Sequence, residues 1–348
     1  MRKFFFILVI IMLIAPVAFA ANANDPHMYD ESSSTDESAI QIPDNYTEHK
    51  TANFQFIYPE GGERIAEQIT SRAEKMRARM VDEIGVNPTG TTRVYIARNQ
   101  KDFNMLQPGG RPLPNWVAGV AYPHLNLVLM RQAGSSGQPI NLLETFEHEL
   151  SHIILRRVVK DRNALPKWFV EGLAQWQARQ MDLERGMRLA KALISGRLIP
   201  LDDLIHRFPR YTTDIHLAYD ESFAFLNFLI GEYGLDTFQS FIRRLGDGEK
   251  FVKAMESSYM TSLHELEKQW ISDLKMSYNW IPLLSSGGTV WTLASILIII
   301  GYIRKRRQTR IRMAKWEKEE AEAERIALLA EQIANEGLPE SKKTPLVH

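Results

Sequence analysis

The 348-residue sequence contains no cysteine. That absence excludes disulfides, a thiol nucleophile, a thiolate metal site and lipid attached to an N-terminal cysteine. Any catalytic or metal centre must be built from histidine, carboxylates, hydroxyls or lysine. An excess of one charge is missing too, since 42 Lys plus Arg stand against 42 Asp plus Glu. A neutral balance argues against a basic nucleic-acid-binding surface, so no nucleic-acid partner is expected. No internal repeat is found. Hydrophobic residues at 45% and charged residues at 24% are the proportions of a folded chain.

Charge is also absent from two long runs, one towards each end. Met1, Arg2 and Lys3 precede an apolar stretch from Phe4 to Ile14, which Pro16 breaks before Ala18-Phe19-Ala20. This reads as a secretory signal peptide over residues 1–20, removed after Ala20. An uncleaved anchor is the alternative, for which the run is short. Residues 281–303 carry no charged side chain, and at helical rise they cover a bilayer core of about 30 Å. Arg304, Lys305, Arg306, Arg307, Arg310 and Arg312 follow at once, whereas Lys268 and Lys275 on the other flank are mixed with Glu265, Glu267 and Asp273. The positive-inside rule places residues 304–348 in the cytoplasm and residues 21–280 outside it, periplasmic or extracellular. A single-pass protein of the cell membrane is expected, with the lipid bilayer as a partner.

Between these runs, residues 21–50 are acidic, with Asp25, Asp30, Glu31, Asp36, Glu37, Asp44 and Glu48, and are expected to form a flexible leader. Residues 51–280 alternate apolar segments with turn signals and are expected to fold. Phe54 to Tyr58 and Thr92 to Ala97 have strand composition. Glu63 to Ile84 has helical spacing, and Val117 to Tyr122 with Asn126 to Met130 predict a hairpin. From Asn141 on, nearly everything is helical by pattern. Strands first and helices later predict an α+β domain. The tail over residues 304–348 is basic and then charged and helical, with Ile326, Leu329 and Ile333 spaced three and four apart.

The chemistry lies where strands give way to helices. Asn141 is a good helix N-cap, with Glu144 three residues on. Within that helix, His148 and His152 stand four apart, so both imidazoles leave one face and can converge on one ion. Glu149 lies one step round, near enough to reach a water beside that ion. The segment His148-Glu149-Leu150-Ser151-His152 thus fits the H-E-x-x-H zinc pattern. A catalytic zinc needs a third ligand. Glu171 is an acid among Phe169, Val170, Leu173 and Ala174, and must be paired, bound to metal or turned to solvent. Gly172 beside it points to a close approach of two helices.

The combination of His148-Glu149-Leu150-Ser151-His152 with Trp168-Phe169-Val170-Glu171-Gly172-Leu173-Ala174 resembles the gluzincin metallopeptidases. Over residues 51–280 the chain is similar to the peptidase MA-like family among them. The resemblance implies a thermolysin-like zincin domain and one zinc ion held by His148, His152 and Glu171. It also implies Glu149 as general base and Tyr219, on a later helix, as donor to the oxyanion, with His216 as runner-up. The strand before the zinc helix would carry a peptide or protein substrate. Leu155 and Val158 stand where the metzincin continuation needs Gly and His. The Gly-Ala-Met-Glu-Asn element of the aminopeptidase N branch is absent, which favours an endopeptidase. Two other classes stay open: a catalytically silent, membrane-tethered interaction domain, and a metal-dependent hydrolase of a non-peptide bond. His124, Asp202, Asp203 and His206 are the remaining residues able to build a second metal site, and read as ordinary surface chemistry.

Overall fold

A computed structural model describes residues 40–110, 112–115, 117–132, 140–159, 165–180, 183–209, 212–278 and 287–336. The expected signal peptide falls outside these residues. Five strands form one sheet: β1 (Tyr46–Lys50), β2 (Phe54–Pro59), β3 (Thr92–Ala97), β4 (Gly119–Tyr122) and β5 (Leu127–Arg131), in the order β1-β2-β3-β5-β4. The central pairs β2–β3 and β3–β5 are parallel, and the outer pairs are antiparallel. Helix α1 (Glu63–Ile84) makes the β2-to-β3 crossover and buries Ala66, Ile69, Ala73, Met80 and Ile84. Helix α2 (Gln100–Met105) follows β3.

The central strands are apolar at nearly every position because both faces of the sheet are covered. Tyr95, Leu127 and Leu129 face Phe103 and Leu106 around α2. On the other face Phe54 and Phe56 meet Phe146 of helix α3 (Leu142–Val158), with ring centroids 5.7 and 6.4 Å apart. The expected hairpin forms, its strands joined by a 3-10 turn at Pro123–Leu125 and by Asn126 at φ 52°. One boundary is corrected. Residues 46–50, expected to lie in a flexible leader, form the edge strand β1. Its side chains are exposed or half-buried, so an apolar alternation never marks it. Tyr46 fixes it by donating to Asp102 Oδ2 at 2.8 Å.

After the sheet the domain is helical: α4 (Lys167–Gln177), α5 (Leu183–Ile194), α6 (Thr212–Tyr233), α7 (Leu235–Gly246), α8 (Phe251–Tyr259) and α9 (Leu263–Tyr278). The α+β expectation thus holds, with a small sheet and a mostly helical remainder. Edge-to-face aromatic contacts knit this half together. Trp168 of α4 meets Phe225 of α6 at 5.2 Å and Phe251 of α8 at 5.7 Å, while Phe169 meets Phe241 of α7 at 5.4 Å. Chain contacts divide the protein into Met1–Met276 and Ser277–His348. The second unit holds helix α10 (Gly287–Glu336). Among the described residues no helix is long and apolar enough to cross a membrane. Residues 281–286 of the expected span lie outside the described set. Within α10, Ile296 to Ile300, Tyr302 and Ile303 are exposed, directly before the basic cluster.

The close approach expected at Gly172 is present. A Cβ placed there would lie 2.5 Å from the backbone oxygen of Ser222 on α6. Gly172→Ala should push α4 and α6 apart and cost about 1–3 kcal/mol. Thermal unfolding of the full chain should show a clearly lowered midpoint, and an unchanged one would refute so tight a contact.

Candidate metal centre

Two buried helices build the site. Helix α3 begins at Asn141, whose Oδ1 accepts from the Glu144 backbone N–H at 3.3 Å. Glu144 Oε2 accepts in turn from Asn141 Nδ2 at 2.7 Å, which holds the capping side chain in place. The helix then carries His148, Glu149 and His152 inward, each less than a tenth exposed. Helix α4 starts after Pro166 and presents Glu171, 5% exposed, to the same point.

The convergence is specific. His148 Nε2 lies 3.6 Å and His152 Nε2 3.9 Å from Glu171 Oε2. One ligand atom from each residue falls within 4.8 Å of the others. Both separations exceed a hydrogen bond. They are somewhat wider than the edge of a tetrahedron with metal–ligand bonds of roughly 2.0–2.1 Å, about 3.4 Å. Burial pushes the His152 imidazole down to about 4, against the opposing pull of Glu171, so the ring is neutral near pH 7. Neutral imidazole is the form a metal ion requires. Two nitrogens and one carboxylate oxygen suit zinc in the absence of thiolates. Among the described residues these three are the one such cluster, and neither His124 nor the Asp202, Asp203 and His206 set builds another.

Glu149 is 2% exposed and faces the start of β4. A Cβ at Gly119 would stand 3.3 Å from Glu149 Cγ, 3.5 Å from Glu149 Oε1 and 2.6 Å from Thr145 Cγ2. The chief obstacle to a side chain there is the Thr145 methyl, with the Glu149 Cγ close behind, so glycine lets the strand pack against this turn of α3. Gly119 was not among the residues singled out by sequence, although a glycine inside a strand pattern is a signal of close backbone approach. Tyr219 is one helix away, on α6. Its backbone carbonyl accepts from Gln175 Nε2 at 3.3 Å, one turn beyond Glu171, and its ring meets Phe208 edge-on at 4.9 Å. His216 lies one turn earlier on α6, half-buried.

Residues 72–276 match the family model of the Peptidase MA superfamily. The chain belongs to the Peptidase MA superfamily. Within it, this Peptidase MA chain is 27% identical over 135 residues to the uncharacterized protein YhcO of Bacillus subtilis, a match covering 37% of this chain and 39% of that one. Among solved structures it is similar to native leukotriene A4 hydrolase of Saccharomyces cerevisiae, at 16% identity and a TM-score of 0.41 over 66% of this chain and 37% of the hydrolase. A mutant M1 zinc metallopeptidase of Deinococcus radiodurans bound to a Tyr-Ser-Ala substrate gives 17% identity and a TM-score of 0.37, over 66% and 50% of the two chains. The Peptidase MA chain therefore spans half or less of each of these relatives.

Metal uptake checks the centre directly. The full chain should bind one zinc per molecule, and His148→Ala or His152→Ala should strip it and lower the melting temperature of the zinc-treated protein. Stoichiometric metal retained by both variants would exclude the pair as ligands.

Proposed function

We propose that the chain is a membrane-anchored zinc metallopeptidase that cleaves internal peptide bonds on the extracytoplasmic side of the cell membrane. The observation that carries the reading is the convergence of His148, His152 and Glu171 from two buried helices, within a Peptidase MA chain. Three protein donors leave a fourth position open, as catalytic zinc requires. Zinc held there supplies the Lewis acidity that polarises a scissile carbonyl and acidifies water.

The chain's own residues do the rest. Glu149 takes the proton of the attacking water on its carboxylate and delivers it to the leaving amine. Tyr219 donates its phenol O–H to the carbonyl oxygen as negative charge develops there; His216 is the alternative donor. Strand β4 ends the sheet. Its outer edge offers backbone N–H and C=O groups to an extended substrate, and Gly119 lets that backbone lie against Glu149. The missing aminopeptidase element supports internal cleavage. The charge-free residues 281–303, with the exposed apolar side chains from Ile296 to Ile303 and the basic cluster behind them, support the anchor and its orientation. The N-terminal signal-like segment supports export.

Mutations separate the roles. Glu149→Gln should retain zinc while cleavage of a peptide library slows by roughly 100- to 10,000-fold. Tyr219→Phe should keep zinc and substrate binding, with turnover reduced roughly ten- to a thousand-fold. Full activity of Tyr219→Phe alongside an inactive His216→Ala would move the oxyanion role to His216. A Glu149→Gln chain as fast as wild type would overturn the mechanism. A folded, zinc-loaded wild type that cleaves no peptide would instead favour a silent, tethered interaction domain.

Topology has its own test, because the natural chain lacks cysteine. Ser33→Cys should react with an impermeant thiol reagent on intact cells, or on spheroplasts where an outer membrane intervenes. Ala334→Cys should react only once the inner membrane is opened. Labelling of the second site alone would reverse the orientation.

A further inference from the structure

The two helices that carry the candidate ligands are joined by a string of polar side chains, running from α3 through α4 and α1 and back to α3, that the proposed mechanism leaves unused. Ser151 Oγ donates to Gln177 Oε1 at 2.7 Å. Gln177 Nε2 donates to Glu83 Oε2 at 3.2 Å and to the Met80 carbonyl at 3.1 Å. Arg79 completes the string, with Nη1 on Glu83 Oε1 at 2.9 Å and Nη2 on Glu147 Oε1 at 2.7 Å. Glu147 and Ser151 lie four apart on α3, on one face, so the string of contacts starts and ends on that helix. Arg179 places a second guanidinium on Glu83 at 2.7 Å.

Three of the members lie on the ligand-bearing helices α3 and α4. Glu147 precedes His148, Ser151 precedes His152, and Gln177 is on the helix of Glu171. Ser151 and Gln177 are 1% and 0% exposed. A buried O–H···O contact is good only over a few tenths of an ångström, and losing it strands a buried polar group without its partner. Apolar contacts between α3 and α4 tolerate some sliding; this bond does not. Two guanidinium groups balance the carboxylates of Glu83 and Glu147, so the string adds no net charge and acts through geometry.

We propose that Ser151 and Gln177, backed by Arg79 and Glu83, are positioning residues that set the spacing of α3 and α4 and thereby the affinity of the centre for zinc. The inference rests on the metallopeptidase reading of the site. It is tested on the full-length chain by competition with a chromophoric zinc chelator and by the melting temperature of the zinc-free protein. Ser151→Ala should weaken zinc binding roughly 10- to 100-fold, as loss of groups that orient metal ligands does, at low and high salt alike. Ser151→Thr, which keeps the hydroxyl, should restore most of that affinity. Glu74→Gln is the control. Glu74 clamps Thr51 and the backbone and side chain of Asn53 to the same helix α1, away from the metal ligands. It should lower the melting temperature while zinc affinity stays within about threefold of wild type. Should Ser151→Ala fail to fold, Arg79→Gln at a half-buried point of the string reads the same effect, with several-fold weaker zinc expected.

Unchanged zinc affinity in Ser151→Ala, or in Arg79→Gln where that variant stands in, would overturn the positioning role. So would an equal loss in Glu74→Gln, since zinc affinity would then merely follow stability. A wild-type chain that takes up no zinc would overturn the metallopeptidase reading and this inference together, a result seen before any variant is compared.

Discussion

A carboxylate held in the interior beside two imidazoles is costly, and the surrounding helices are arranged around that cost. Glu171 loses most of its water on burial, a penalty of several kcal/mol for an ionised group. A divalent ion shared with His148 and His152, as proposed, would offset it, so that site and fold would stabilise each other. This demands that α4 be fixed along its whole length. Its first turn is locked by Trp168 and Phe169 among aromatic rings from α6, α7 and α8. Its middle is pressed on α6 through the bare backbone of Gly172. Its end is tied to α3 and α1 through Gln177.

What could be read before the structure follows from which forces leave a local signature. The metal helix was legible because its cap, its paired histidines and its register are all set within a dozen residues. Strands β2 and β3 and helix α1 were legible because their apolar periodicity reflects burial on defined faces. Strand β1 was not, because an edge strand with polar, solvent-facing side chains carries little alternation. Its order comes from pairing with β2 and from the Tyr46–Asp102 bond, whose partners are distant in sequence. The bond from Ser151 to Gln177 was invisible for the same reason. Neither residue is unusual in its own window, and only the folded chain brings them together. Gly119 stood between these cases: its glycine identity was visible, but the turn of α3 at Thr145 and Glu149 against which it packs was not.

The two units differ in how they are held. The domain ending at Met276 is organised by a mixed sheet and an aromatic helical core. The unit from Ser277 on holds one long helix, in which the described residues from Ile296 to Leu329 include many exposed apolar side chains.

The terminal place of β4 in the sheet has a consequence for what such an enzyme can recognise. A strand edge accepts only a partner whose own backbone donors and acceptors are still available. Residues in a helix, or inside another protein's sheet, have already committed theirs. In the proposed peptidase, the edge beside Glu149 would therefore sort proteins by conformational state before any side chain is consulted, admitting segments that have lost or never gained their structure and passing over the same sequence when it is folded.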